Sequence, residues 1–309
     1  MLNQNWLKPG DLLQVIAPSG CLRELDAFQK GVEIWRSRGY QVELTPGYDE
    51  QWGYLAGTDE SRRTQLATAI NNQNCRGILC ARGGYGATRL LENWQWRSPQ
   101  PEKLDRSLIP PPKWLIGFSD ITALLWTFSQ IDFPCVHGPL VTTLAAEPEW
   151  SIQRLFDLVE GRPVEALEGN GWGGGQATGY LMPANLTVAS YLLGTKYQPD
   201  LSQIILALED VNEAPYRIDR MLTQWRMAGL LQQVQGIALG RFSQCSSGRM
   251  NHTDFTVEEV LRDRLGDLKI PIVSDLSFGH DGPNAALPVG IEAHLDGDKG
   301  ILEITEKQS

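Results

Sequence analysis

Histidine is scarce in this chain: its 309 residues include four His and five Cys. No apolar run approaches the ~18 residues that cross a bilayer. Each shortage excludes something. Cys21, Cys75, Cys80, Cys135 and Cys245 are odd in number, far apart and never arranged as C-x-x-C. That excludes a disulfide framework and a cysteine zinc site, and reads as reduced thiols in a core. Basic clusters are lacking and the formal net charge is −10, so nucleic acid is not an expected partner. The N-terminal stretch MLNQNWLKPGDLLQVIAPSG has no basic segment leading into an apolar one. Neither a signal peptide nor a membrane partner is therefore expected, and the expected location is cytoplasmic. Internal repeats and low-complexity tracts are absent too.

Alternation is what the sequence does have. LLQVIAPSG reads as a strand and loop, ELDAFQKGVEIWRSRG as a helix closing at Gly39, and YQVELTPG as a second strand. DESRRTQLATAINN continues as a helix, and RGILCARGGYGATRLLENW and KWLIGFSDITALLWTFSQ each give strand, loop and helix. Such an order predicts an α/β fold with a parallel sheet, whose ligands lie beyond the carboxyl ends of the strands. Pro-Ser-Gly, Gly-Gly-Tyr-Gly and Gly-Phe-Ser-Asp would then converge at that edge. The glycine-dense stretch EALEGNGWGGGQATGY lacks the Lys-Ser/Thr ending of a phosphate loop and reads as a linker. We therefore expect an N-terminal domain over 1–165, a linker over 166–180 and a C-terminal domain over 181–309. The last segment, LPVGIEAHLDGDKGILEITE, reads as a hairpin.

Ser119 stands where an apolar strand gives way to an apolar helix. A serine on such a turn can present its hydroxyl beside free helix N–H groups; alternatively Ser119 or Asp120 simply caps the helix. A hydroxyl nucleophile needs a base, and the base an orienting acid. His137 lies between apolar residues, His252 in a polar loop and His294 among charges in the terminal hairpin. His280, in SDLSFGHDGPNAALPVG, follows a strand within a loop free to project inward. Glu209 and Asp210 end the apolar run IILALED and Glu213 follows; any of these is an orienting acid or a solvated one. Gly83, Gly84 and Gly86 suit either a dinucleotide site, although G-x-G-x-x-G is incomplete, or an oxyanion hole shared with the N–H of Asp120. The order Ser119, Glu209, His280 is that of the α/β-hydrolases, yet GFSDI lacks the second glycine of G-x-S-x-G.

Eight segments in order, LKPGDLLQVIAPSG, YLAGTDESRRTQL, ARGGYGATRLL, LIGFSDITALL, HGPL, LALEDVNEAPYRIDRML, GIALGRF and FGHDGPNAALPVG, resemble the LD-carboxypeptidase family. These are Ser-Glu-His peptidases that include muramoyltetrapeptide carboxypeptidase and the microcin C self-immunity peptidases. The resemblance implies a Rossmann-like parallel-sheet N-terminal domain with a smaller C-terminal α/β domain. It implies Ser119 as nucleophile, His280 as base and Glu209 as the acid, with Gly84 and Asp120 supplying the oxyanion N–H groups. The implied enzyme is a homodimer without cofactor or metal, which removes D-alanine from murein tetrapeptides, free or carrying sugar or nucleotide. Arg82 is the candidate for the substrate carboxylate, or else pairs with a structural acid. Where family members often carry Gly-Gly-Asn, this chain has Pro183-Ala184-Asn185, which bears on fine specificity. The other readings are a peptidase acting on a peptide–nucleotide antibiotic and a non-catalytic ligand- or dinucleotide-binding module.

Overall fold

Five apolar runs become the strands of the first parallel sheet: β1 (Leu12–Ile16), β2 (Gln41–Leu44), β3 (Cys75–Cys80), β4 (Trp114–Gly117) and β5 (Cys135–His137). The computed structural model describes residues 6–92, 94, 113–131, 133–246 and 254–305. The chain divides into two units, Met1–Glu147 with Val159–Arg162, and Pro148–Leu158 with Pro163–Ser309.

In the first unit the strands pair in the order β5-β4-β3-β1-β2, all parallel. Crossover helices α1 (Leu25–Ser37), α2 (Asp59–Asn71), α3 (Ala87–Leu90), α4 (Thr122–Ser129) and α5 (Val141–Leu144) connect or follow them. Helix α1 buries Phe28, Gly31, Val32 and Trp35, the i, i+3, i+4, i+7 stripe of a helix lying on a sheet. Helix α2 starts at Thr58, whose hydroxyl accepts from the Ser61 N–H at 3.1 Å and satisfies one of the four orphan donors there. The strand order reverses between β1 and β3, the switch point where loops part and leave a crevice. Pro18-Ser19-Gly20 and Arg82-Gly83-Gly84 are the loops that flank it.

The second unit is built on a mixed sheet ordered β6-β14-β13-β8-β9-β10-β11-β7. Its strands are β6 (Leu167–Glu168), β7 (Asn170–Gly171), β8 (Gln176–Asn185), β9 (Ile204–Val211), β10 (Gly236–Ser243), β11 (Ile272–Ser274), β13 (Ile291–Asp296) and β14 (Ile301–Ile304), with β12 (Leu287–Val289) preceding β13. Strands β8 to β11 are parallel, and the hairpin β13–β14 joins antiparallel to β8. Helix α6 (Glu149–Val159) precedes this sheet in the chain, and α7 (Leu186–Leu192), α8 (Pro215–Met227) and α9 (Val257–Leu265) join its strands. Leu181, Ile205, Ala207, Ala238, Val273, Phe278 and Leu295 are the centre of its core.

The glycine-dense segment 166–180 departs from expectation. It is not a bare linker but carries β6, β7 and the first half of β8, and the division between units falls earlier, at 148–163. Glycine is dense there because backbones crowd. A Cβ at Gly169 would lie 2.2 Å from the Ser274 carbonyl, and one at Gly171 2.2 Å from that of Gly297. Composition alone does not separate glycine that loosens a chain from glycine that lets strands close up. No helix among the described residues is long and apolar enough to cross a membrane.

Lys113 is a buried cation just ahead of β4. Its Nζ donates to the carbonyls of Ala69 (2.9 Å), Ile70 (2.7 Å) and Asn72, closing the C-terminus of α2. Lys113→Met would leave those carbonyls without their donor and is expected to destabilise the protein by about 2–4 kcal/mol, read from the midpoint of urea unfolding.

Candidate active site

Within the first unit, β4 runs into Phe118 and then Ser119, which holds φ = 64°. A non-glycine residue in the left-handed region costs of order 1 kcal/mol or more and persists only when its surroundings impose it. Here a one-turn 3-10 helix (Ser119–Ile121) leads straight into α4, so the serine sits at the apex of the strand-to-helix turn. The glycine loop closes on it. A Cβ at Gly83 would lie 3.1 Å from Ser119 Cβ and 3.2 Å from its Oγ, so a side chain there would press on the serine by a few tenths of an ångström.

One buried carboxylate ties these loops together. Asp120 Oδ2 accepts from Ser19 Oγ at 2.6 Å, on the Pro-Ser-Gly loop, and from the Ala87 N–H at 2.7 Å, where the glycine loop enters α3. Burial pushes the Asp120 carboxyl above its usual range, and the Ser19 and Ala87 hydrogen bonds with the Arg62 charge pull it back. Arg62 is itself fully buried. Its Nη1 donates to the carbonyls of Pro18 and Gly86 (the latter at 2.8 Å), and its Nη2 pairs with Asp59. Gly20 N–H donates to the Gly83 carbonyl at 3.1 Å. The loops after β1, β3 and β4 thus form one hydrogen-bonded block around Ser119.

Within the second unit, Glu209 lies near the C-terminal end of β9 with its side chain wholly buried, and its Oε2 is 2.7 Å from His280 Nδ1. The carboxylate's other oxygen accepts from Asn185 Nδ2 at 3.2 Å. Asn185 also donates to Asp210 at 3.1 Å and caps α7 through the Val188 N–H. Gly279 makes the close approach possible: its φ is +107°, and a Cβ there would meet Glu209 Cβ at 2.9 Å. The loop is pinned at both sides of the imidazole. Gly279 N–H donates to Asn284 Oδ1 at 2.9 Å, and the His280 carbonyl accepts from Arg241 Nε at 3.2 Å and from Ser243 Oγ.

Burial alone would lower the His280 pKa, but the hydrogen bond and charge of Glu209, with Asp210 and Asp281 adding, raise it above 6.5. Burial, then the adjacent Glu209 charge, push Asp210 up to about 6, against hydrogen bonds from Thr187 and Val211. Nδ1 is held by the carboxylate; in a Ser-His-acid arrangement the opposite ring nitrogen, Nε2, is the one that exchanges protons.

The structure therefore joins Glu209 to His280 and passes over Glu213, which pairs with Arg217 at 3.4 Å. Gly84 has the positive φ expected of a loop glycine, +109°, but Gly83 is the one packed on Ser119. Arg82 is held by Glu24 at 3.0 Å, the structural pairing that was the other reading for it. His137 is buried on β5 against Phe118, and His294 is half-buried near Thr178 Oγ1. His252 lies outside the described residues. Pro183 and Ala184 pair within the sheet, opposite Ala207 and Leu208 of β9. Among the described residues no group of three or more His, Cys, Asp or Glu could hold a metal ion. Sequence reasoning missed Ser19, Arg62, Asn185 as the partner of Glu209, Arg241 and Ser243. A polar residue inside or just after an apolar strand was the one signal available for Ser19, Asn185, Arg241 and Ser243, and Arg62, on α2, offered none.

In fold the chain is a two-unit α/β protein like the microcin C7 self-immunity protein MccF, with a TM-score of 0.85 over 99% of each chain at 20% identity. Residues 13–138 match the LD-carboxypeptidase N-terminal domain and residues 178–295 the LD-carboxypeptidase C-terminal domain. A putative carboxypeptidase of Synechocystis sp. (strain ATCC 27184 / PCC 6803 / Kazusa) is 55% identical over 96% of this chain and 95% of its own length. The murein tetrapeptide carboxypeptidase of Pseudomonas aeruginosa is 30% identical over 96% and 97%. This chain belongs to the LD-carboxypeptidase family.

Two outcomes are expected from this geometry. Glu209→Gln removes the charge that raises His280, so the imidazole titration followed by NMR should fall to or below 6.5. In the unaltered protein the folded-state pKa is the higher one. The pair's contribution to stability is then complete below the unfolded pKa of about 6.5 and is lost as pH rises through the folded value. Asp120→Ala should destabilise the first unit by about 3 kcal/mol, since Ser19 Oγ and the Ala87 N–H lose their shared acceptor; calorimetry reads this directly.

Proposed function

We propose that this chain is a cytoplasmic serine carboxypeptidase of cell-wall recycling. It removes the terminal D-alanine from murein tetrapeptides by cleaving the bond after the L-centre of the diamino acid. The observation that carries the reading is the buried Glu209 carboxylate fixed on His280 Nδ1. A solvated structural pair would not need the Asn185 contact or a glycine at 279. The strained Ser119 beside Gly83 supports it, as does the 30% identity with a murein tetrapeptide carboxypeptidase.

In this mechanism Ser119 Oγ attacks the carbonyl carbon of the scissile amide while His280 Nε2 takes its proton. Glu209 stabilises the imidazolium and holds the ring's tautomer. The developing oxyanion meets the N–H of Asp120 and one from the Gly83-Gly84 pair, each such donor being worth ~3–4 kcal/mol. When the C–N bond breaks, His280 returns the proton to the departing amine of D-alanine. Water, deprotonated by the same imidazole, then attacks the acyl-Ser119 carbonyl and restores the hydroxyl. The base must be neutral at the start, so activity requires a pH above the raised His280 pKa. The stability contribution of the pair runs the other way.

Ser119→Ala and His280→Ala should each lower kcat by roughly 10⁴–10⁶ with the fold intact by circular dichroism. D-alanine release from UDP-MurNAc-tetrapeptide and from free tetrapeptide, followed by mass spectrometry, reads it out. The acid limb of kcat/KM should fall above pH 6.5. An aminoacyl sulfamoyl nucleotide assayed in parallel tests the antibiotic-peptide substrate; turnover there with none on murein peptide would replace the murein reading.

A further inference from the structure

Three large aromatic residues on loops of the first unit that adjoin the block around Ser119 face water: Trp52 is 53% exposed, Tyr54 60% and Tyr85 48%. Their mounting is rigid. Trp52 and Leu55 exchange both backbone hydrogen bonds, at 2.9 and 3.0 Å, making a two-residue hairpin with Gly53 and Tyr54 at its tip. That hairpin is fastened to the block around the serine, because Cys21 N–H donates to the Tyr54 carbonyl at 3.1 Å and Ala56 N–H to that of Ser19 at 3.0 Å. Tyr85 follows Gly83 and Gly84 in the loop that closes on Ser119. The two phenol rings meet with centroids 5.8 Å apart and planes tilted by 56°, and Arg89 lies 6.0 Å from the Trp52 ring.

Exposed rings of this size forgo much burial, since each can remove about 150–250 Å² from water. Even the three rings together, about 450–750 Å², stay below the ~800 Å² per partner of a stable protein interface. Holding them on inflexible backbone fits a small, flat ligand whose binding is preorganised. A pyranose has that chemistry: its C–H face packs on an aromatic face, and its hydroxyls meet phenolic oxygens. We propose that Tyr54 and Tyr85 form a carbohydrate subsite that takes the N-acetylated sugar carried by the peptide substrate. This rests on the murein-peptide reading above and adds what the enzyme recognises beyond the peptide.

The test compares MurNAc-tetrapeptide with free tetrapeptide on the full chain. Tyr54→Ala/Tyr85→Ala should lower the kcat/KM ratio of sugar-bearing to free substrate about tenfold. Tyr54→Phe/Tyr85→Phe, which keeps both faces, should retain most of it. Calorimetric titration of the Ser119→Ala protein with the same two ligands, with and without the alanine pair, reads the sugar's contribution without turnover. The subsite is thus tested even if no D-alanine is released and the carboxypeptidase reading falls. An unchanged ratio of affinities, or equal loss on both ligands, overturns the proposal. So does a change in sedimenting mass with the ratio intact, which would make the rings an interface between copies. Loss in the phenylalanine pair equal to that in the alanine pair overturns stacking.

Discussion

A carboxylate taken out of water must be fully hydrogen-bonded or it destabilises the fold. Each unit is organised around meeting that demand. In the first, Asp120 is satisfied by a side chain from the loop after β1 and a backbone N–H from the loop after β3. Three loops that would otherwise move independently are held together by one acceptor. In the second, Glu209 and Asp210 are adjacent near the end of β9, and neighbouring like charges in an apolar setting would be unfavourable alone. Asn185 bridges them, Thr187 takes the far oxygen of Asp210, and His280 takes that of Glu209.

The same contacts prepare chemistry. A carboxylate with one oxygen on Asn185 and the other on His280 cannot swing away, so the imidazole is oriented before any substrate arrives. The raised His280 pKa is the electrostatic consequence of that arrangement: Glu209 outweighs desolvation. In the first unit the result is steric. Ser119 is kept in a left-handed conformation by the helix that follows it and by a glycine packed on its side chain. Stability and reactivity are therefore not separable at these positions, because the groups that satisfy the buried acids also set the geometry.

The strands and helices around these sites were legible because their apolar periodicity is strong. Leu12–Ile16 and Ile204–Val211 are nearly continuous apolar runs, and α1 and α8 show clean helical stripes. Ser119 and His280 were legible as candidates because each follows an apolar run at a glycine-marked turn, and Glu209 because it is an acid closing an apolar run; the resemblance selected among the alternatives. The segment 166–180 was misread because glycine signals both looseness and tight approach, and only neighbours distant in sequence distinguish them. Arg62 and Asn185 looked like ordinary polar residues of a helix and a strand, since nothing local reveals a partner 24 or more residues away.

By itself the sequence determined the α/β alternation, the positions of the turns and the residue types able to do acid–base and nucleophilic work. These are local properties: periodicity, turn chemistry and side-chain functional groups act over a few residues. The tertiary structure alone decided that Gly83 rather than Gly84 packs on Ser119, and it put Glu209, the acid the resemblance names, on the imidazole. It also gave Arg82 to Glu24 and Asn185 to the catalytic carboxylate of the proposed mechanism. Each of those is a distance of a few ångström between residues remote in the chain, and long-range packing, not local pattern, fixes it.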